Sequence, residues 1–181
     1  GFSVEPSPSI LRNSATPAGF KELPAQEDGI STALLVGCYS SFATMYMLVS
    51  VVAPFFPKQA AKWGLSSSQI GLICACDPIG EVLSTIFATW FMAKLGATRA
   101  ACVGMAANGI SSLIFGGIPL ISTEPGFLFR SFVLMRLANG IATNITYISV
   151  MTMLCCLMPD KIGQVTANIA VLTTIGLIIG P

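Results

Sequence analysis

Asp77 and Glu81 stand one helical turn apart in a stretch that otherwise reads as a membrane span, with no other charge from Leu65 to Ala93. A carboxylate at bilayer depth costs about 2.5–3.5 kcal/mol on insertion scales, so such residues face a protein interior or a water-filled cavity and mark ion or solute paths. Positions 77 and 81 are i and i+4, which sets both acids on one helix face. Two acids this close repel when both are ionised, and the chemistry expected of them is binding of a proton or a cation. Pro78 lies between them and cannot donate the usual backbone hydrogen bond, so a kink or local opening is expected there. Two plainer readings compete: the span begins later and leaves Asp77 near the interface, or both acids stay neutral and bridge helices.

Arg136 is the natural partner. It lies ~9 residues into a later apolar stretch, and Asp77 lies ~9 residues into its own. At 1.5 Å per residue, and entering from the same side, each group sits ~14 Å deep. Equal depth permits an ion pair, whether it takes part in proton coupling or only holds two helices together. Arg130 is expected at the interface, where a long side chain can snorkel.

These residues need a lipid-solvated scaffold, and composition requires one. Hydrophobic residues make up 54% of the 181 and charged residues 9%, with a mean hydropathy of +0.79. Soluble domains hold about 25% charged residues; nine basic and eight acidic side chains cannot cover a watery surface of this size. A net charge of +1 without a basic stripe excludes a nucleic-acid partner. There is no histidine, so proton chemistry falls to carboxylates and a Ser-His nucleophile is excluded. No Gly-rich loop followed by Lys-Ser/Thr suggests nucleotide binding, and no cofactor pattern is read. An aspartyl dyad from Asp77 and Glu81 would ordinarily draw on separate helices, so an enzyme is not expected. Cys38, Cys74, Cys76, Cys102, Cys155 and Cys156 lie in apolar stretches. No matching pair completes a metal site, and they are expected to be small buried apolar side chains.

Five apolar segments follow a Pro- and Ser-punctuated tail over residues 1–28 that cannot bury a core and is expected to be disordered. They run over about 30–56, 67–93, 98–121, 127–158 and 162–181. Each suffices to cross ~30 Å of hydrocarbon as a helix, and no ~10-residue alternating strands suggest a barrel. The fold class expected is all-α, a polytopic helical membrane protein. Turns are expected at 56–64, 94–96, 122–126 and 159–161, short enough to make successive helices antiparallel. Arg12, Lys21, Lys94, Arg99 and Lys161 fall on one side and Lys58, Lys62 and Arg130 on the other. That count favours a cytoplasmic N-terminus. Ala100, Gly104 and Asn108, and likewise Gly176 and Gly180, are spaced by four and form flat faces for close helix contact.

Three motifs resemble the major facilitator superfamily. Arg136-Leu-Ala-Asn139-Gly140 is similar to its R-x-x-x-G signature, which implies a role for Arg136 in proton coupling. Gly176-Leu-Ile-Ile-Gly180-Pro181 resembles the start of its G-x-x-x-G-P antiporter motif, implying a bend at a gate. Lys94-Leu-Gly96-Ala-Thr-Arg99 resembles its cytoplasmic loop. Lys94 and Gly96 match there, while Thr89 and Ala93 stand where the family has Gly and Asp, which implies that the usual charge latch is missing. Pro54-Phe-Phe-Pro57 and Ser66-Ser-Ser-Gln-Ile-Gly71 resemble the vesicular amine and polyamine transporter branch. The likeness covers about residues 31–181. It implies five helices of an incomplete N-terminal six-helix half, a missing C-terminal half, and a solute path at mid-membrane.

The resemblance and the acidic pair together imply a proton-coupled antiporter of small organic cations, its partners being the bilayer, a proton and a small organic solute. Asp77, Glu81 and Arg136 would couple the two movements. The first and fourth helices would line the path with Ser40, Ser41, Thr44, Tyr46, Asn139, Asn144 and Tyr147. The competing expectations are a facilitator or symporter of a neutral or anionic solute bound by Arg136, and a non-transporting receptor or scaffold.

Overall fold

The computed structural model describes residues 32–179; the tail and the motif residues Gly180 and Pro181 lie outside the described residues. Five long helices follow in order: α1 (Thr32–Lys62), α2 (Ser67–Leu95), α3 (Ala97–Ile121), α4 (Pro125–Leu157) and α5 (Ile162–Ile179). A single 3-10 turn, Pro159–Lys161, joins the last two. All five are long and apolar enough to cross a membrane. The distribution of polarity agrees. Leu120 is 89% exposed and Ile86 76%, whereas Asp77 and Arg136 are each 8% exposed. An apolar outside around a polar inside is what lipid selects.

Local chemistry fixes the ends. Ser66 opens α2 with a capping box: its Oγ accepts from the Gln69 amide, and its own amide donates to Gln69 Oε1. Gly96 alone separates α2 from α3; its φ of +82° suits a residue without Cβ, and its N–H donates to Met92 O at 2.8 Å. Pro125 begins α4, where a missing N–H removes nothing.

The first turn falls later than expected. α1 runs through Pro54 and Pro57 to Lys62, leaving only residues 63–66 as a connection. Burial explains the extension. Phe56 and Ala60 enter an apolar cluster with Leu65, Ile73, Ile118, Leu128 and Phe132, and that packing outweighs the hydrogen bonds that two prolines cannot make. The cysteines also divide differently. Cys38 and Cys76 are buried, but Cys74, Cys102 and Cys156 are exposed. A thiol is apolar enough for a lipid-facing surface.

α4 is the hub, packing along α2 on one flank and α3 on the other, while α1 packs mainly along α5. Small residues make the close approaches. A Cβ at Gly140 would collide with the Asp77 carbonyl, one at Gly80 would stand 2.5 Å from Leu137 O, and one at Gly104 would strike Thr146. A Cβ at Gly176 would stand 2.9 Å from Ala43 O on the backbone of α1, and Ser50 Oγ donates to Leu177 O at 2.6 Å across that seam. Apolar clusters fill the two ends. One is the set around Phe56 and Phe132; the other joins Cys38, Phe42, Ala101, Val150, Met153, Leu154, Val165 and Ile169. Between them lies a belt of polar side chains.

Candidate functional site

The belt is built where α2 crosses α4. Asp77 stands ten residues past Ser67 and Arg136 eleven past Pro125, so both lie roughly 15 Å from helix ends on the same side. Gly140 lets the α2 backbone close to contact at that level. Arg136 Nη1 then meets Asp77 Oδ2 at 3.4 Å, with side chains 10% and 11% exposed. Asn139 Nδ2 donates to the other carboxylate oxygen at 3.3 Å. Both contacts are longer than the ~2.8 Å of a tight charge-assisted bond. Asp77 is held on both oxygens, but loosely.

α3 completes the belt, which spacing alone did not reveal. Ser111 Oγ lies 3.1 Å from Asn139 Oδ1 and 2.7 Å from Ala107 O, with one proton for either acceptor. Ser112 Oγ lies 3.4 Å from the same amide oxygen. Asn108 donates to Thr143 Oγ1 at 3.0 Å. The Phe115 ring sits 4.9 Å from the Arg136 guanidinium carbon, a cation–π distance. The available signal was the polar run Asn108, Ser111 and Ser112 inside an apolar span.

A cavity of about 250 Å³ opens on this belt between α1, α3 and α4. Its lining is mostly apolar, with Thr44, Ser111, Ser112, Arg136 and Asn139 supplying polar groups. Among the described residues, the buried Arg136 Nε has no hydrogen-bond partner. Neither acid lines the cavity: Asp77 stands behind Arg136 and Asn139.

Glu81 does not join Asp77 in one site. It is half-buried, and among the described residues its carboxylate has neither a salt bridge nor a hydrogen bond; its backbone carbonyl accepts instead. Asn144 Nδ2 reaches that carbonyl at 2.8 Å, Ser84 Oγ at 2.8 Å and Thr85 Oγ1 at 3.1 Å, so Asn144 ties α4 to α2. We expect Asn144→Ala to lower thermal stability by about 1–2 kcal/mol without changing solute selectivity; thermal unfolding beside uptake assays checks this. Ser40 and Ser41 donate to Gly37 O within α1. Tyr147 packs edge-on against Phe42, with centroids 5.4 Å apart, and Tyr46 lies where Gly176 of α5 approaches. Of the seven expected path residues, only Thr44 and Asn139 line the cavity. Lys94, Gly96 and Arg99 gather at the α2–α3 corner, where Lys94 Nζ sits 4.2 Å from the Trp90 ring centroid.

Five bilayer-length helices around a buried ion pair define a multi-pass integral membrane protein. The family model for the Major Facilitator Superfamily matches residues 38–181, and the chain belongs to that family. Members of this family are generally not enzymes. The chain is similar to MFS-type transporter SLC18B1 of Mus musculus and of Rattus norvegicus, each 28% identical over 148 residues, covering 82% of this chain and 32% of the relative. The Homo sapiens protein of that name is 27% identical over 135 residues, 75% of this chain and 29% of the relative. The chain therefore spans about a third of the length of the curated relatives it matches. No solved structure matches the chain.

Proposed function

We propose that the chain forms part of a secondary transporter that exchanges protons for small organic cations, with the N-terminus in the cytoplasm. The observation carrying this reading is the buried Asp77–Arg136 pair, 3.4 Å apart beside a cavity. An ionised Asp77 is compensated by Arg136. A proton on Asp77 removes that compensation and leaves Arg136 as a net positive charge at the cavity wall. A charge exposed in this way favours expulsion of a cationic solute, so proton entry and cation release are coupled through one guanidinium. The shared naming of the relatives as transporters supports the transport class.

A second reading has its own observation. Arg136, not a carboxylate, lines the cavity, and its buried Nε has no hydrogen-bond partner among the described residues, which suits symport of a neutral or anionic solute. Reconstitution in liposomes separates the two when proton flux and solute uptake are recorded independently. In an exchanger, an outward cation gradient drives protons inward, and Arg136→Gln cuts that coupled flux more than tenfold. Co-directional movement of a proton with an anion, lost in Arg136→Gln, would overturn exchange.

A further inference from the structure

The Asn139 amide is bonded at both ends. Its Nδ2 donates to Asp77 Oδ1 at 3.3 Å, and its Oδ1 lies 3.1 Å from Ser111 Oγ and 3.4 Å from Ser112 Oγ. Asn139 and both serines line the cavity, which Asp77 does not reach, so the amide bridges the buried acid and the cavity wall. The charge on Asp77 decides which way that bridge points. An ionised carboxylate only accepts, so Asn139 turns its NH2 to the acid and its oxygen to the serines. A carboxylic acid has one O–H to place. Arg136 stands at Oδ2 and carries donors alone, so the hydrogen goes on Oδ1, which faces Asn139. There it meets the amide NH2, donor against donor, until the amide turns over and offers its oxygen. The NH2 then faces Ser111 and Ser112, and α3 can answer. Ser111 has Ala107 O at 2.7 Å and Asn108 O at 3.1 Å to take its hydrogen. Among the described residues the Ser112 hydroxyl is bonded to Asn139 alone, so its hydrogen turns into the cavity it lines. The ionisable groups around Asp77 are Arg136 across the seam and, on α2 itself, Cys76 and Glu81. α1 and α3 bring uncharged side chains to this level, Thr44 from one and the serines with Phe115 from the other.

We infer that Asn139 is a positioning residue that relays the protonation of Asp77: its amide turns over and switches the cavity wall at Ser112 from accepting to donating hydrogen bonds. This rests on the exchange reading, in which Asp77 takes the proton, and gives solute release a second, directional route beside the charge on Arg136. While Asp77 is ionised, serine lone pairs face the cavity and accept from a solute N–H. Once it is protonated, a hydroxyl hydrogen faces the same N–H. A solute of equal charge without N–H groups feels only the guanidinium.

The test takes acid-minus-neutral infrared difference spectra of the full-length protein in detergent. A carboxylic acid C=O band should appear on acidification and be absent in Asp77→Asn. It should shift in Asn139→Leu, which removes the acceptor of its O–H. A side-chain amide band should change with it, vanish in Asn139→Leu and shift in the Ser111→Ala/Ser112→Ala double variant, which keeps Asn139 in place. Thr166→Ala, on the exposed side of α5, is the unchanged control. Binding supplies the second readout, with n-butylammonium and n-butyltrimethylammonium as probes of equal charge. Acid should weaken butylammonium by about threefold to tenfold more than its trimethyl counterpart, the worth of one hydrogen bond, and the serine double variant should erase that difference. A carboxyl band unmoved by Asn139→Leu, or equal weakening of both probes in the unaltered protein, would overturn the relay and leave exchange standing. Absence of an Asp77 band, or of any probe binding that acid weakens, would overturn both.

Discussion

Gly140→Leu is expected to unseat α2 from α4 and to abolish the folded, monodisperse protein. Even a Cβ at position 140 meets the backbone carbonyl of Asp77, which no rotamer can move aside. Overpacking a tight interior costs about 1–3 kcal/mol and more where backbone must shift, and this seam carries the ion pair as well. The neighbouring glycines make the expectation graded. Gly80→Ala, facing Leu137 O at 2.5 Å, should also be severe. Gly104→Ala meets first the movable Thr146 side chain and should be milder. Gly109→Ala has nothing within 4 Å and should be neutral or slightly stabilising, since alanine is the better helix former. Fluorescence-detected size exclusion and thermal unfolding give the order directly. A Gly140→Leu protein as stable as Gly109→Ala would refute the packing described here.

Breaking the ion pair from one side should cost more than removing it whole. Arg136→Leu leaves Asp77 with only the Asn139 amide in a buried place, and stranding one partner of a buried pair typically costs about 3–5 kcal/mol. Asp77→Leu strands the guanidinium, whose remaining neighbour is the Phe115 ring. The double variant removes both charges and fills the space with apolar side chains, so it should regain about 2 kcal/mol or more over either single change. On the proposed exchange, transport should not return with it, because the carboxylate proposed to take the proton is gone. A double-mutant cycle on unfolding, paired with liposome flux, reads both quantities. Strict additivity would mean that the two side chains do not interact.

Five spans, their order and their antiparallel run were legible because hydropathy is a property of the chain read in one dimension, and each interruption carries turn chemistry. The expected depth of Asp77 and Arg136 was legible for the same reason, since 1.5 Å per residue converts a count into a position. The turn at Pro57 was misplaced because a proline reads as a stop locally, while Phe56 and Ala60 are held in helix by distant Ile118 and Phe132.

Sequence by itself therefore determined that this protein crosses a bilayer with helices and holds an acid and a base at matching depth. Only the tertiary structure decided which polar groups meet. Four residues turn a helix by about 40° past a full circle, enough for Asp77 to face the α4 crossing at Gly140 while the Glu81 carboxylate makes no hydrogen bond or salt bridge among the described residues. Azimuth depends on which neighbour each glycine admits, so α3 could bring Ser111 and Asn108 into the belt without any motif announcing it.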